Sequence, residues 1–377
     1  MIAKRHQNNK ETPMGACDEL SKSYDDLIDL SLGDPDLTTD ISIIEAAFED
    51  AKNGHTHYTD FLGDLDLRTA LCEEAKIKIS IEKCMITTSG CHAMWLILES
   101  ILDEGDEVII PAPYFTPYLG QVKLARGKSV LLETLESENF YIDVCKLEKL
   151  ISKRTKAIII NTPNNPTGAC QPLEVMTALA SLARRYDILI IADDIYTAYH
   201  YDKPFVPMYT LYDKTVTIGS FSKDYCMTGW RIGYVIAPKQ IIDTMKNINE
   251  NNVFTAPSIS QRAALYAIMH KNEIQAKLIA CFKDRIYYAY KRIKKIENLK
   301  VNKPEGSIYL FVNIKETKLS GEAFTKYLLE KAHILVLPGC AFGHSYGDYV
   351  RIAVTVNKEK LKVAFDRMEK LRIFGGE

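Results

Sequence analysis

Lys223 sits in a setting that a surface lysine does not need. In TIGSFSKDYCMTGWRIGY (217–234) it follows an apolar run, with Ser220 and Ser222 just before it and Arg231 eight residues after it. Among apolar and neutral groups a lysine amine loses proton affinity and becomes a nucleophile toward an aldehyde. The two hydroxyls and the planar guanidinium suit an anion such as phosphate. Gly229 and Gly233 leave room for close backbone approach.

Other stretches offer matching chemistry. TTSGCHAM (87–94) runs from a strand pattern through glycine into a helix pattern, and the exposed amides of such a helix start suit a phosphate. In ADDIYTAY, Asp193 ends a very apolar run. A carboxylate buried there needs a cation or hydrogen-bond donors, and a protonated pyridine nitrogen would serve; a helix N-cap is the ordinary alternative. Asn165, in NTPNNPTG, and Tyr196 could both reach a phenolate oxygen. Tyr114 or Phe115, in PAPYFTPY, could stack on an aromatic ring. Taken singly, each has a plain reading: turn chemistry for NNPTG, core packing for the aromatics.

These groups must be held by a framework. The apolar runs CMITT (84–88), EVIIP (107–111), KAIIIN (156–161), ILIIAD (188–193), TVTIGS (215–220) and GYVIAP (233–238) read as strands. Between them HAMWLILESIL (92–102) and PLEVMTALASLARRY (172–186) carry apolar residues at helical spacing. The alternation predicts an α/β fold: a three-layer α/β/α domain on a mostly parallel sheet buried on both faces. After about residue 260 long charged helices such as DRIYYAYKRIKKIE (284–297) precede the strand candidates SIYLFVNI (307–314) and YVRIAVT (349–355). The expected division is a large domain over 45–260 and a smaller α+β domain from 1–44 plus 261–377. Ligands of open α/β sheets bind beyond the carboxyl ends of the strands. Five strand candidates end in polar or aromatic groups, SGCH, APYF, TPNNPTG, DDIY and SFSK, which would converge on one crevice.

Composition narrows the partners. With 377 residues, 47% hydrophobic and 25% charged, the chain is of ordinary globular type and long enough for two domains. The 47 basic and 49 acidic residues leave a formal charge of −2, which argues against general attraction to nucleic acid or anionic membrane. No apolar run approaches the roughly 20 residues of a membrane span. MIAKRHQNNKETPMG at the N-terminus has no apolar leader core. The nine cysteines form no CxxC pair and the histidines no metal-ligand spacing, so a reduced, cytoplasmic, metal-free chain is expected.

In order along the chain, IDLSLGDPD (28–36), HYTDFLGDLDLRTAL (57–71), TTSGCHAM, PAPYFTPY, NTPNNPTG, ADDIYTAY, SFSKDYCMTGWRIGY, VLPGCAFG and YVRIAV resemble the class I/II aminotransferase family of fold-type-I pyridoxal-5′-phosphate enzymes. Any one match is modest; nine in sequence are specific. The resemblance implies that Lys223 binds the cofactor's aldehyde as an internal aldimine, which makes the enzyme a ping-pong aminotransferase between an L-amino acid and a 2-oxo acid. It implies that Asp193 pairs with the pyridinium nitrogen, that Asn165 and Tyr196 bond the phenolic oxygen, and that Phe115 stacks on the ring. The phosphate falls to the amides of Cys91 and His92 and to Ser220, Ser222 and Arg231. Tyr58 matches a tyrosine that reaches the phosphate of a partner subunit, which implies a homodimer with shared sites. Arg351 matches the arginine that grips the substrate α-carboxylate, with Gly33 lining the same end. Arg351 alone, on a strand, would read as a surface residue.

The chain departs from the family pattern at Asp194, where glutamate is common, and at Cys91 and His92, whose contacts are through the backbone. Asp224, after the lysine, stands where a small or neutral residue is common, and its charge would raise the Lys223 amine if it faced the site. The same scaffold supports C–S lyases by β-elimination, and an amino-acid-sensing regulator is the reading of another class. A regulator would carry a DNA-binding domain, and only about 27 residues precede IDLSLGDPD. Specificity for a dicarboxylate needs a second cation, for which Arg262 or a lysine is the candidate.

Overall fold

The computed structural model describes residues 2–3, 13–20, 22 and 24–374, so most of the N-terminal stretch read above for a leader lies outside the described residues. The chain forms two units, Asp34–Asp284 with Pro304–Ser307, and Met1–Gly33 with Arg285–Lys303 and Ile308–Glu377.

A seven-stranded sheet organises the larger unit. Its strands lie in the order Cys84–Thr87, Gly233–Ile236, Thr215–Ser220, Leu189–Asp193, Thr155–Asn161, Glu107–Ala112 and Lys128–Glu133. All pairs are parallel except those of Gly233–Ile236, which is antiparallel to both neighbours. The mostly parallel sheet is the one expected. The central strands read as continuous apolar runs because both faces are covered. Ile158, Ile160, Ile190 and Ala192 pack with Met176, Leu179, Ala180 and Ala183 of the Leu173–Tyr186 helix, while Ile159 and Ile191 between them are also buried. Each aliphatic side chain so buried contributes about 1.5–3 kcal/mol, which makes the sheet a stiff base for its loops.

The helices follow their caps. Ser89 accepts from the His92 amide at the start of Gly90–Ile101, and Asp187 in the left-handed conformation ends Leu173–Tyr186. Lys128–Glu133, at one edge of the sheet, was missed by the sequence reading. Only Leu132 of its six residues is fully buried, and its apolar stretch is just three residues long.

The larger unit takes in more chain than 45–260. Ile43 and Ala47 on one side, and Ala263, Ala264, Ala267, Ile268 and Ile274 on the other, share one core with Ile86, Phe221 and Ile236. The change of texture after residue 260 reflects helices with a charged outer face, and the division falls inside the Lys271–Ile293 helix. The smaller unit is α+β: Leu337–Pro338, Tyr349–Ala353 and Tyr309–Asn313 form an antiparallel sheet, and Ile28–Asp29 pairs parallel with Ile334–Leu335. Gly321–Ala332 and Lys358–Met368 are among its helices.

Register in the large sheet sets the site. Asn161 pairs with Asp193, Asp193 with Ile218, Ser220 with Gly233, and Gly233 with Thr87. Adjacent strands lie about 4.8 Å apart. Five strand ends therefore bring their following loops to one edge.

Candidate active site

Asp193 is the deepest charged group at that edge, 4% exposed at the last position of its strand. Its Oδ2 accepts a short hydrogen bond from the Tyr118 hydroxyl, and its Oδ1 is buried without a partner among the described residues. Burial lifts the carboxyl from its ordinary 3.8 to about 6, against the pull of the Tyr118 hydroxyl and the Ile195 backbone N–H. The carboxylate is short of one donor or cation.

Tyr118 is the second residue of the Pro117–Leu124 helix and is itself buried. The sequence reading passed over it, although it lies in the quoted PAPYFTPY. Beside this pair Asn161 donates from Nδ2 to the Asp193 carbonyl at 2.9 Å and accepts from the Asn165 amide at 2.8 Å. The Asn165 Nδ2 lies 3.4 Å from the Tyr196 hydroxyl, so these two expected residues do meet. Phe115 is edge-on to Tyr118, ring centroids 5.6 Å apart.

A second group forms around the start of the Gly90–Ile101 helix. Ser89 caps it from a left-handed conformation, φ 83°, which a residue with a Cβ adopts only under constraint. The constraint is Gly233. A Cβ there would lie 2.8 Å from the Gly90 nitrogen and the Ser89 carbonyl carbon and 2.9 Å from the Gly219 oxygen. Two turns are thus pressed together, backbone on backbone. Ser220 caps the short Phe221–Asp224 helix, accepting from the Ser222 amide at 3.1 Å, and both serines are buried. Arg231 is exposed and donates to the Thr228 carbonyl at 2.8 Å. The Cys91 thiol is raised by desolvation and then by the charge of Asp193, and lowered by Arg231 and Lys223. One thiol at the helix start therefore feels the carboxylate, the guanidinium and the lysine together.

His92 is chemically quiet. Its Nδ1 accepts from the Thr88 amide at 3.3 Å, and burial pushes it down to about 4, so the ring is neutral at physiological pH. The carbonyl of Lys223 accepts from the Tyr199 hydroxyl at 2.8 Å.

Other expected residues are not among these contacts. Tyr58 is 80% exposed in the larger unit and edge-on to Phe254 at 4.9 Å. Arg351 and Gly33 belong to the smaller unit. Arg351 is 1% exposed, its guanidinium 4.4 Å from the Tyr309 ring centroid and 5.0 Å from that of Phe342, and Nη2 donates to the Ser31 carbonyl. A strand arginine that reads as a surface residue is in fact fully buried. At Gly33 a Cβ would run into the Tyr309 hydroxyl. Arg262 is held by Asp50 at 2.6 Å, Asp66 at 3.1 Å and Asp64 at 3.3 Å, so it is not a spare cation for a substrate. Asp194 is pushed well up by burial and then by the charges of Asp193 and Asp224.

The arrangement has two poles. At one, a buried carboxylate has one oxygen without a partner among the described residues, next to an amide and a phenol. At the other, helix amides, two hydroxyls and an arginine surround a backbone cradle too tight for a side chain. A lysine belongs to the second. An aromatic ring with a basic nitrogen, a phenolic oxygen and a phosphate fits this set, because each of its polar groups finds the complementary one. Fold and site together are those of a fold-type-I pyridoxal-phosphate enzyme.

Residues 25–368 match the family model "Aminotransferase class I and II", and the chain belongs to that family. It is 38% identical to an aspartate aminotransferase of Pyrococcus horikoshii, over 98% of this chain and 96% of that protein. It is 35% identical to aromatic-amino-acid aminotransferase 2 of Thermococcus litoralis, over 94% and 93% of the two chains. Among solved structures, the aspartate aminotransferase of Thermus thermophilus with maleate is 31% identical and superposes with a TM-score of 0.94 over 99% of both chains. The chain is a pyridoxal-phosphate-dependent aminotransferase. No helix among the described residues is long and apolar enough to cross a membrane.

Proposed function

We propose that this aminotransferase takes its amino group from L-aspartate and passes it to a 2-oxo acid in two half-reactions at one cofactor. Four relatives at 34–38% identity carry the name aspartate aminotransferase. Aromatic donors are the second reading, on the name of the Thermococcus litoralis relative.

Pyridoxal phosphate supplies an aldehyde for the substrate amine and a ring that accepts the electron pair released at Cα. The chain's own residues do the rest. Lys223 Nζ would hold the aldehyde carbon and would move the proton at Cα of a bound amino acid. Asp193 Oδ1 would hold the proton on the ring nitrogen, and the unpartnered, buried state of that oxygen is the observation that carries the reading. Asn165 and Tyr196 would donate to the phenolic oxygen, and Phe115 would lie against the ring. The amides of Cys91 and His92, the hydroxyls of Ser220 and Ser222, and the Arg231 guanidinium would hold the phosphate. Arg351 would orient the substrate α-carboxylate, with Gly33 lining the same end. Positioned proton transfer of this kind contributes about 10²–10⁴-fold. The exposure of Tyr58 supports its reaching the phosphate of a second subunit, in a cytoplasmic homodimer.

The test is covalent. Borohydride should fix the cofactor to the peptide carrying Lys223, and L-aspartate alone should convert the bound cofactor to its amine form and bleach the lysine-bound absorption. Absence of label at Lys223 refutes the site. Labelling without bleaching by any amino acid refutes transamination, and pyruvate with ammonia from a β-substituted amino acid would assign a lyase instead.

A further inference from the structure

We infer that Asp224 is a positioning residue: its carboxylate fastens the turn that carries Tyr196 and so holds the Tyr196 hydroxyl at the phenolic oxygen of the cofactor. The inference rests on the reading above in which Tyr196 serves that oxygen.

Two uses were open to a carboxylate next to the reactive lysine. It could face the amine and raise its proton affinity, or it could serve the backbone around it. The geometry points to the second. Asp224 is 6% exposed, and its Oδ2 accepts from the Thr197 hydroxyl and from the Ala198 amide, each at 3.2 Å. One residue further along the same turn, the Tyr199 hydroxyl donates to the Lys223 carbonyl at 2.8 Å. Three hydrogen bonds therefore tie the Phe221–Asp224 helix to the Thr197–Tyr199 turn, two of them converging on one carboxylate oxygen. Tyr196 is the residue that enters this turn. Its carbonyl accepts from the Tyr199 amide at 2.9 Å, and its hydroxyl lies 3.4 Å from Asn165 Nδ2. The turn fixes the Cα of Tyr196 at one end, and Asn165 meets the hydroxyl at the other. Loosening Asp224 frees the first anchor.

The carboxyl holds this place against its surroundings. Its other oxygen, Oδ1, is buried without a partner among the described residues, and burial pushes the group up to about 7. Asp194 from the strand side, Tyr199, Tyr225 and Tyr234, and the Lys271 ammonium are the titratable groups whose charges couple to it. A neutral small residue at 224 would avoid that burial and could not accept from the turn.

The cofactor-loaded enzyme reports on this directly, because the lysine-bound chromophore changes colour as it gains a proton. A donor at the phenolic oxygen stabilises the ring anion and lowers the pH of that change; loss of one hydrogen bond to a charged group moves it by about one unit. Tyr196→Phe should raise the midpoint of the absorbance titration by about that amount. Asp224→Ala should raise it similarly, and Asp224→Asn, which keeps an acceptor oxygen, should leave it near the parent value. Thr197→Val removes one donor without touching Asp224 and should raise it by roughly half as much; it decides the matter if Asp224→Ala does not fold. The double variant Asp224→Ala/Tyr196→Phe should match Tyr196→Phe alone, since both remove the same interaction. A shift with Tyr196→Phe but none with Asp224→Ala or Thr197→Val, or shifts that add in the double variant, overturns the inference and leaves the site reading intact. No shift with Tyr196→Phe overturns both.

Discussion

Asp193→Asn separates what a buried carboxylate costs the cofactor-free protein from what it does for the loaded one. Without cofactor, burial raises Asp193 from 3.8 to about 6. A raised acid holds its proton more tightly in the folded than in the unfolded chain. The folded state is therefore favoured by this group while both forms are protonated, below about pH 4, and loses that advantage as pH climbs through 4 to 6. At about 1.4 kcal/mol per pH unit, the full loss above pH 6 is on the order of 3 kcal/mol. Asparagine has the same shape, keeps an acceptor for Tyr118 and has no charge to bury. Cofactor-free Asp193→Asn should then resist urea better than the parent at about pH 7.5, by up to roughly 3 kcal/mol, and the gap should close as pH falls toward 4. Saturating pyridoxal phosphate should shrink or reverse the order, because ligand stabilisation follows affinity and the parent alone offers the ring nitrogen an anion. Turnover of the variant should fall by at least about 10²-fold. The measurement is urea unfolding at fixed protein concentration and several pH values, with and without cofactor. A parent protein as stable as the variant at pH 7.5, or a gap that does not change with pH, would refute the claim that this carboxylate is buried and short of a partner.

Three further outcomes follow from the same geometry. Tyr118→Phe removes the donor to Asp193 Oδ2, an interaction typically worth about 1.5–3 kcal/mol; the acid limb of cofactor binding should move to higher pH, and an unchanged pH profile would count against it. Gly233→Ala places a methyl 2.8 Å from the backbone of Ser89 and Gly90, and overpacking of that kind costs about 1–3 kcal/mol. Pyridoxal phosphate should bind at least about tenfold more weakly while phosphate-free pyridoxal is little affected; equal losses for both would show that the turn does not serve the phosphate. Arg351→Lys keeps the charge and loses the planar fork lying over Tyr309 and Phe342. The KM for the amino acid should rise about 10–100-fold with the cofactor spectrum unchanged, consistent with a lost bidentate pair, and an unchanged KM would remove Arg351 from substrate binding.

The strands of the large sheet that were legible are those whose residues are buried on both faces. KAIIIN, ILIIAD and TVTIGS sit in the middle of the sheet, where most positions are buried, and each lies within a residue of the observed strand. Lys128–Glu133 lies at the edge with one buried residue, and no period survives there. The expected division near residue 260 and the compact units differ for a related reason. Ser258–Met269 buries seven of its twelve residues, most of them small, and small apolar residues do not announce a core as Ile and Leu do.

The chemical groups were legible as types; their wiring was not. A lysine after SFS and an aspartate after ILIIA can be read along one strand, because the end of a strand faces the ligand edge whatever the rest of the fold does. Which donor reaches which oxygen depends on register between segments far apart in sequence. Tyr118 and Asp193 are 75 residues apart and meet only because their segments come together at one edge of the sheet. Asp224 carries the same lesson in the opposite direction. Its place beside Lys223 suggests a charge acting on the amine, yet both hydrogen bonds of its Oδ2 go to the turn after Tyr196. What distinguishes the two aspartates is the oxygen each leaves over. Oδ1 of Asp193 is buried without a partner among the described residues, in a carboxylate whose charge acts on the Cys91 thiol together with those of Arg231 and Lys223, so a cationic ring can complete it. Oδ1 of Asp224 is buried among carboxyls and phenols, where a proton is the simplest partner. The same side chain, one strand apart, is a ligand in the first case and a brace in the second.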